Sequence, residues 1–150
     1  MVDVTPYVDV AEAQVFFNGR LNTYAWDAAS DPDRLKSLKE ASSRIDRLRF
    51  QGTRLSESQE REFPRDFQTQ VPEDILQACC LISLALLDGV EIEIENKNLS
   101  VITQSFQSSR TTYEPSVRRD HFRHGIPSVE AWECLKPYLA DVQELEISRV

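Results

Sequence analysis

Four short signals in the middle of the chain constrain its fold most: Arg44-Ile45-Asp46, Phe50-Gln51-Gly52, Phe63-Pro64-Arg65 and Val71-Pro72-Glu73. The first closes a stretch in which Leu35, Leu38, Ala41, Ile45 and Leu48 return at three- and four-residue steps, the period of one buried helical face. The last opens a second apolar helix. Proline suits that start, because the N–H it lacks would have no partner in the first turn. Gly52 stands where a left-handed residue would close the earlier helix. Together these signals predict two packed helices joined by a fixed, proline-pinned crossing. Ile45, Asp46, Phe50, Gly52, Phe63, Pro64, Arg65 and Pro72 read as a structural motif, and none belongs to a catalytic pattern.

Around the crossing the pattern is mainly α: a small bundle of about four helices, a β-hairpin excursion and an extended C-terminal tail. Asp9 with Glu12 three residues on is an Asp version of the capping box. It heads a helix with an apolar stripe of Val10, Ala13, Phe16, Phe17 and Leu21. Tyr24 and Trp26 follow in a short connection, as plugs for the end of the core. Asp31-Pro32-Asp33 starts the second helix. Residues 53–70 read as an irregular loop. The third helix, from Pro72 to a stop at Gly89, carries Ile75, Cys79, Ile82 and Leu86 in its seam and is apolar on most sides, so it is expected at the centre.

After Gly89 the period changes. Val90, Ile92 and Ile94 alternate with Glu91, Glu93 and Glu95, which fits a half-exposed strand; a frayed helical extension is the competing reading. Leu99 to Phe106 and Arg110 to Tyr113 fit two strands of a hairpin. Residues 114–127 read as a loop, and Ser128 caps a last short helix with Val129, Trp132 and Leu135. The expected organisation is one domain over residues 1–140, with the β excursion around 90–113, and a tail or arm over 141–150.

Composition narrows the function. The formal net charge is -8, whereas proteins that coat nucleic acid gather a basic face. Cys79, Cys80 and Cys134 lack a metal-type spacing, and the first two lie in an apolar run. Buried free thiols in a reducing compartment are expected. There is no basic-then-apolar leader, and the apolar run from Ile75 to Leu87 is too short for a membrane span. A product of the cytoplasm without membrane contact is the expectation.

No enzyme signature is present: no glycine-rich phosphate loop, no Gly-x-Ser-x-Gly and no His-Glu-x-x-His. His121 and His124 are three apart and could share a helical face as metal ligands, but their surroundings are cationic. Exposed loop histidines are the expected reading, with no metal and no cofactor. Adjacent residues on a helix diverge by about 100°, so Cys79 and Cys80 read as core, not as a reactive pair. Asp46 borders a buried face; it either accepts a hydrogen bond from Arg65 or another arginine, or it faces solvent. Arg118, Arg119, His121, Arg123 and His124 form the densest positive cluster. That cluster can be a solvated loop, a phosphate contact or a dock for an acidic protein surface. In the acidic tail, Leu145, Ile147 and Val150 are candidate contacts with a neighbour.

The order and spacing of several motifs resemble a family of tailed-phage head-to-tail connector proteins, whose members often carry the label of DnaT-like single-stranded-DNA-binding proteins. The matching positions are Tyr7-Val8-x-Val10-x-Glu12-Ala13, Phe17, Trp26 and Ala41-x-x-Arg44-Ile45-Asp46-x-Leu48-x-Phe50-x-Gly52. Phe63-Pro64-Arg65 follows, where the family more often has Trp-Pro-Arg. Val71-Pro72-x-x-Ile75-x-x-Ala78 and Leu135-x-Pro137-Tyr138-Leu139 complete the match.

The resemblance implies a helical adaptor of the virion neck, made in the host cytoplasm. Such proteins form a ring, commonly of twelve copies, below the portal protein. The ring continues the channel for double-stranded DNA, without sequence-specific binding, and docks the next neck or tail protein. The competing expectation is a single-stranded-DNA-binding accessory protein, which would need aromatic platforms interleaved with positive charge. Phe122 is the one aromatic residue inside the basic cluster.

Overall fold

The computed structural model describes residues 3–66, 68–94, 97 and 120–140. Among these, α1 is Val10–Asn18, α2 Tyr24–Ala28, α3 Asp31–Asp46, α4 Glu73–Leu87, α5 Asp120–Arg123 and α6 Val129–Leu135, followed by a 3-10 turn, Lys136–Tyr138. The fold is mainly α. β-type pairing among the described residues consists of two isolated bridges, Phe50 with Leu139 and Arg54 with Arg65.

The helix starts follow from local chemistry. Asp9 accepts from the Glu12 N–H at 2.8 Å, and the Glu12 carboxylate accepts from the Asp9 N–H at 3.1 Å, closing the capping box. Ser30 caps α3, with Pro32 in the first turn. Pro72 precedes α4, whose first turn carries Glu73 and Asp74 against the positive end of the helix dipole. Ser128 caps α6 by accepting from the Ala131 N–H at 3.2 Å. Gly89 takes φ +83°, a left-handed residue just past the end of α4.

Helix α4 lies at the centre, packed most extensively on α3 and α6 and also on α1 and α2. It buries Ile75, Ala78, Cys79, Cys80, Leu81, Ile82 and Ser83, more than one face of the cylinder. Leu38, Ala41 and Ile45 of α3 meet it, with Phe17, Trp26, Ile126 and Leu135 completing the core. Burying one such large apolar side chain is worth roughly 1.5–3 kcal/mol.

Several expectations change. Leu21 lies beyond α1 and is 87% exposed, and Tyr24, expected as a plug, is 78% exposed at the start of α2, while Trp26 alone fills the core. Leu35 and Val129 also face outward. Gly52 does not close α3: the helix ends at Asp46, and the chain then turns so that Phe50 pairs with Leu139. Gly52 sits in the connection at φ +76°. The alternation from Val90 is not a strand where it is described, since residues 92–94 form a helical turn. Ile92 is half-buried and Ile94 exposed there, so alternation over so few residues also fits one edge of a helix. The hairpin expected over residues 99–113 and the tail over 141–150 lie outside the described residues. The loop expected over 114–127 contains α5.

Candidate functional site

The crossing between α3 and α4 is built around two arginines and two carboxylates. Arg65, 8% exposed, donates to the carbonyls of Gln51 at 2.9 Å and Gly52 at 2.6 Å and to the Glu62 carboxylate at 2.7 Å. Its guanidinium carbon lies 5.9 Å from the centre of the Phe50 ring. Asp46, at the end of α3, accepts from Arg61 at 2.8 Å, from the Tyr7 hydroxyl and from the Glu62 N–H at 3.3 Å. The arginine that meets Asp46 is therefore Arg61, while Arg65 is taken by Glu62 and two carbonyls. Arg61 also donates to the Thr5 carbonyl at 2.9 Å, so the chain before α1 is fastened to the same knot. Arg54 holds the other side of Glu62 at 2.6 Å.

Phe63 is the apolar pin of this knot. It packs on Phe50 with ring centres 4.7 Å apart, and on Tyr138 and Tyr7 at 5.8 and 6.4 Å, all edge-to-face, a favoured geometry for aromatic pairs. The Phe63–Pro64 peptide bond is cis. The end of the described chain is sewn in as well. The Gln51 N–H donates to the Tyr138 carbonyl at 2.9 Å and the Ala140 N–H to the Arg49 carbonyl at 3.0 Å. Asp66 accepts from the Thr53 N–H at 2.8 Å. A Cβ on Gly52 would lie 1.7 Å from the Asp66 carboxylate, so this approach requires glycine. Of the eight motif residues, Asp46, Phe50, Gly52, Phe63, Pro64 and Arg65 lie in this knot, while Ile45 is buried on α3 and Pro72 starts α4.

Burial and the Asp46 hydrogen bond push the Tyr7 hydroxyl well above the usual phenol range. Burial likewise raises Cys79, to about 11, and Cys80 further. These groups hold their protons in ordinary conditions, which removes them as nucleophiles or bases. Ser42 accepts from the Tyr7 N–H at 2.9 Å, donates to the Leu38 carbonyl at 2.8 Å and lies 3.3 Å from the Cys79 sulfur. Ser37 and Ser83 share a buried hydrogen bond of 2.5 Å between α3 and α4.

The basic cluster is not brought together as one surface among the described residues. His121 is buried on α5, 5% exposed, which corrects its reading as an exposed loop residue. Its ring packs on Phe122 at 4.3 Å. Arg123 and His124 are exposed, and the His124 ring stacks on Trp132 at 5.2 Å. Arg118 and Arg119 lie outside the described residues, as do Leu145, Ile147 and Val150. Arg44 donates to the Gly125 carbonyl at 3.0 Å, tying α3 to the turn after α5. Among the described residues no group of three or more His, Cys, Asp or Glu is arranged to hold a metal ion, and no helix is long and apolar enough to cross a membrane.

Charge is distributed in pairs. Nine described cations, Arg20, Arg34, Lys36, Lys39, Arg44, Arg54, Arg61, Arg65 and Lys136, make ion pairs within the chain. Arg47 and Arg49, both exposed, make no such pair among the described residues. An open cleft of about 470 Å³ lies between α2, α3 and the end of α4, lined by Ala25, Ala28, Ala29, Leu86 and Leu87 with Asp33, Lys36, Ser37 and Glu40 on the α3 side.

Sequence reasoning missed Arg61 and Glu62 as the partners that organise the knot. Their signal was the Glu60-Arg61-Glu62 run directly before the buried Phe63. It also missed Ser37, Ser42 and Ser83, although the first two fall in phase with Leu38, Ala41 and Ile45 on α3. A family model described as "Putative DnaT-like ssDNA binding protein" matches residues 2–150. No curated protein and no solved structure matches the chain.

Proposed function

The chain belongs to this DnaT-like family, and from that premise we propose that it is a structural connector: a neck adaptor of a tailed phage that forms a ring below the portal protein and docks the next neck or tail protein. The observation that carries this reading is the neutralised surface. The full chain carries a net charge of -8, and among the described residues nine cations are held by carboxylates of the same chain, which speaks against a broad phosphate-binding face. A wall of that kind lets DNA pass without holding it. The knot supports the reading too, since it fixes α3, α4 and both ends of the described chain as a rigid frame from which other segments can reach a neighbour. A ring contact is head-to-tail and joins two unlike surfaces. The tail from 141 and the segment 118–124 are the candidate contacts.

The test is imaging of intact particles with and without residues 141–150. The truncated protein is expected to keep its isolated fold and to be poorly incorporated. Particles without the full-length protein at the neck would refute the connector reading, and normally placed truncated protein would refute the tail as its contact.

Single-strand binding is the second reading. The family's description names single-stranded-DNA binding and no connector role. The exposed His124 ring, backed by the buried Trp132 and next in sequence to the exposed Arg123, also favours it, because base stacking on rings next to positive charge is how unspecific single-strand sites work. Titration of a labelled oligothymidylate at low salt separates the two. Micromolar affinity with a log–log salt slope of about -0.7 per phosphate contact would support single-strand binding and count against the connector.

A further inference from the structure

Helices α3 and α4 run antiparallel, since Ser37 meets Ser83 and Ser42 meets Cys79 across them. The start of α3 and the end of α4 therefore share one end of the bundle, and the open cleft of about 470 Å³ lies there. Its floor is apolar, made by Ala25, Ala28, Ala29, Leu86 and Leu87, and its α3 side sets Asp33 and Glu40 against Lys36. Past Leu87 the chain adds Asp88, Glu91 and Glu93, exposed and without an ion pair among the described residues. The other end of α3 has the opposite character. Arg47 and Arg49 follow the helix there, exposed and likewise unpaired among the described residues. We propose that the cleft docks a second copy of the chain, which lays its Arg47 and Arg49 across the apolar floor and against the acidic rim.

Three arguments carry this. Charge is complementary, with carboxylates at one end and two arginines at the other. The two surfaces of one chain cannot meet, because the 16 residues of α3 hold them about 24 Å apart at 1.5 Å per residue. Only another molecule brings them together. Arginine also suits this floor: its aliphatic stem covers apolar surface while the guanidinium stays at the rim beside a carboxylate. The small alanine side chains leave room for such stems. Each copy offers one surface of each kind, so the contact is head-to-tail and repeats from copy to copy. The inference rests on the connector reading, whose ring needs such a contact, and it names the two surfaces that make it.

The test is sedimentation velocity of the full chain at up to about 1 mM protein, where contacts of millimolar strength show. The chain is expected to associate at low salt and to lose several-fold of that association at about 1 M salt, where screening shortens to roughly 3 Å. Arg47→Glu with Arg49→Glu should be monomeric alone, and so should Asp88→Lys with Glu91→Lys, whose new cations suit the end of α4. An equal mixture of the two double variants should associate again, because each restores the opposite charge to the other, and that recovery shows both chains to be folded. Ala28→Trp, which fills the cleft from an exposed position, should weaken association several-fold. A parent chain that stays monomeric overturns the second copy as the occupant, whichever other protein takes the cleft. Association that survives either reversal, or a mixture that stays monomeric, overturns the proposal as well. A chain that associates in this way but is absent from the neck refutes the connector reading and leaves the contact standing, and a chain present at the neck but monomeric in solution does the reverse.

Discussion

Replacing Arg65 with alanine tests whether the crossing is held by carbonyl contacts or by the ion pair. Arg65 supplies three short hydrogen bonds, to Gln51, Gly52 and Glu62. A hydrogen bond to a charged group contributes about 1.5–3 kcal/mol where it is buried, but Gln51 and Gly52 are themselves exposed and water reaches part of what alanine would vacate. Glu62 is not stranded either, because Arg54 still holds it at 2.6 Å. With the contact over Phe50 included, Arg65→Ala should cost about 3 kcal/mol. Glu62→Gln leaves the carbonyl contacts in place and should cost about 1 kcal/mol. The double variant should cost about as much as Arg65→Ala alone, since the shared contact is lost once. For a chain of this size the arginine variant should melt about 6–12 °C lower. Urea titrations followed by circular dichroism read all three values. If Glu62→Gln costs as much as Arg65→Ala, or if Arg65→Ala costs under about 1 kcal/mol, the carbonyl contacts are not what secures the crossing.

Three further outcomes follow from the same structure. Gly52→Ala should cost about 3 kcal/mol, from the left-handed φ and from displacing Asp66 off the Thr53 N–H, and a denaturation midpoint equal to the parent's would contradict the close approach. Ser37→Ala should destabilise more than Ser83→Ala in the same assay: Ser37 donates to the Arg34 carbonyl, so the shared hydrogen is that of Ser83, and it loses its acceptor. Alkaline stability should fall as pH rises from about 9. Cys79, raised to about 11, and Cys80 keep protons that the unfolded chain gives up near the ordinary thiol value, so the native state binds more protons there, a loss on the order of 1–2 kcal/mol per thiol by pH 10. Cys79→Ala should flatten that slope, and an unchanged slope would place the titration elsewhere.

Helices α1, α3, α4 and α6 were legible because their start signals are local, whereas α2 and α5 fell in stretches read as a connection and a loop. Asp9 with Glu12, Pro32 and Ser128 act within three residues of where they stand, and the apolar step of α3 and α4 needs no distant partner. The knot was only half legible. Phe50, Gly52, Phe63 and Arg65 stand out as residue types, but the pairing of Asp46 with Tyr7 and Arg61 joins positions 39 and 15 residues apart, and spacing does not choose between Arg61 and Arg65. Tyr24 misled because an aromatic ring reads as core by composition, while Trp26 already fills that space. His121 misled in the opposite sense: a histidine in a charged, proline-flanked stretch reads as solvated, yet the turn of α5 carries it under the surface. The candidate contact surfaces were legible only as composition, because a charge cluster or an acidic tail names a chemistry and not a place.

The pairing of Phe50 with Leu139 also has a consequence for synthesis. The two strands of that bridge lie about ninety residues apart in the chain, a long loop to close. A nascent chain can form α3 and stack α4 on it early, but Tyr138 and the Arg49–Ala140 hydrogen bond reach the ring of Phe63 and the end of α3 only once residues 138–140 have left the ribosome. Until then Phe50 and Phe63 lack their cover. Completion of the knot therefore waits for residues 138–140, and chains cut short before residue 138 would carry an exposed aromatic pair that favours aggregation.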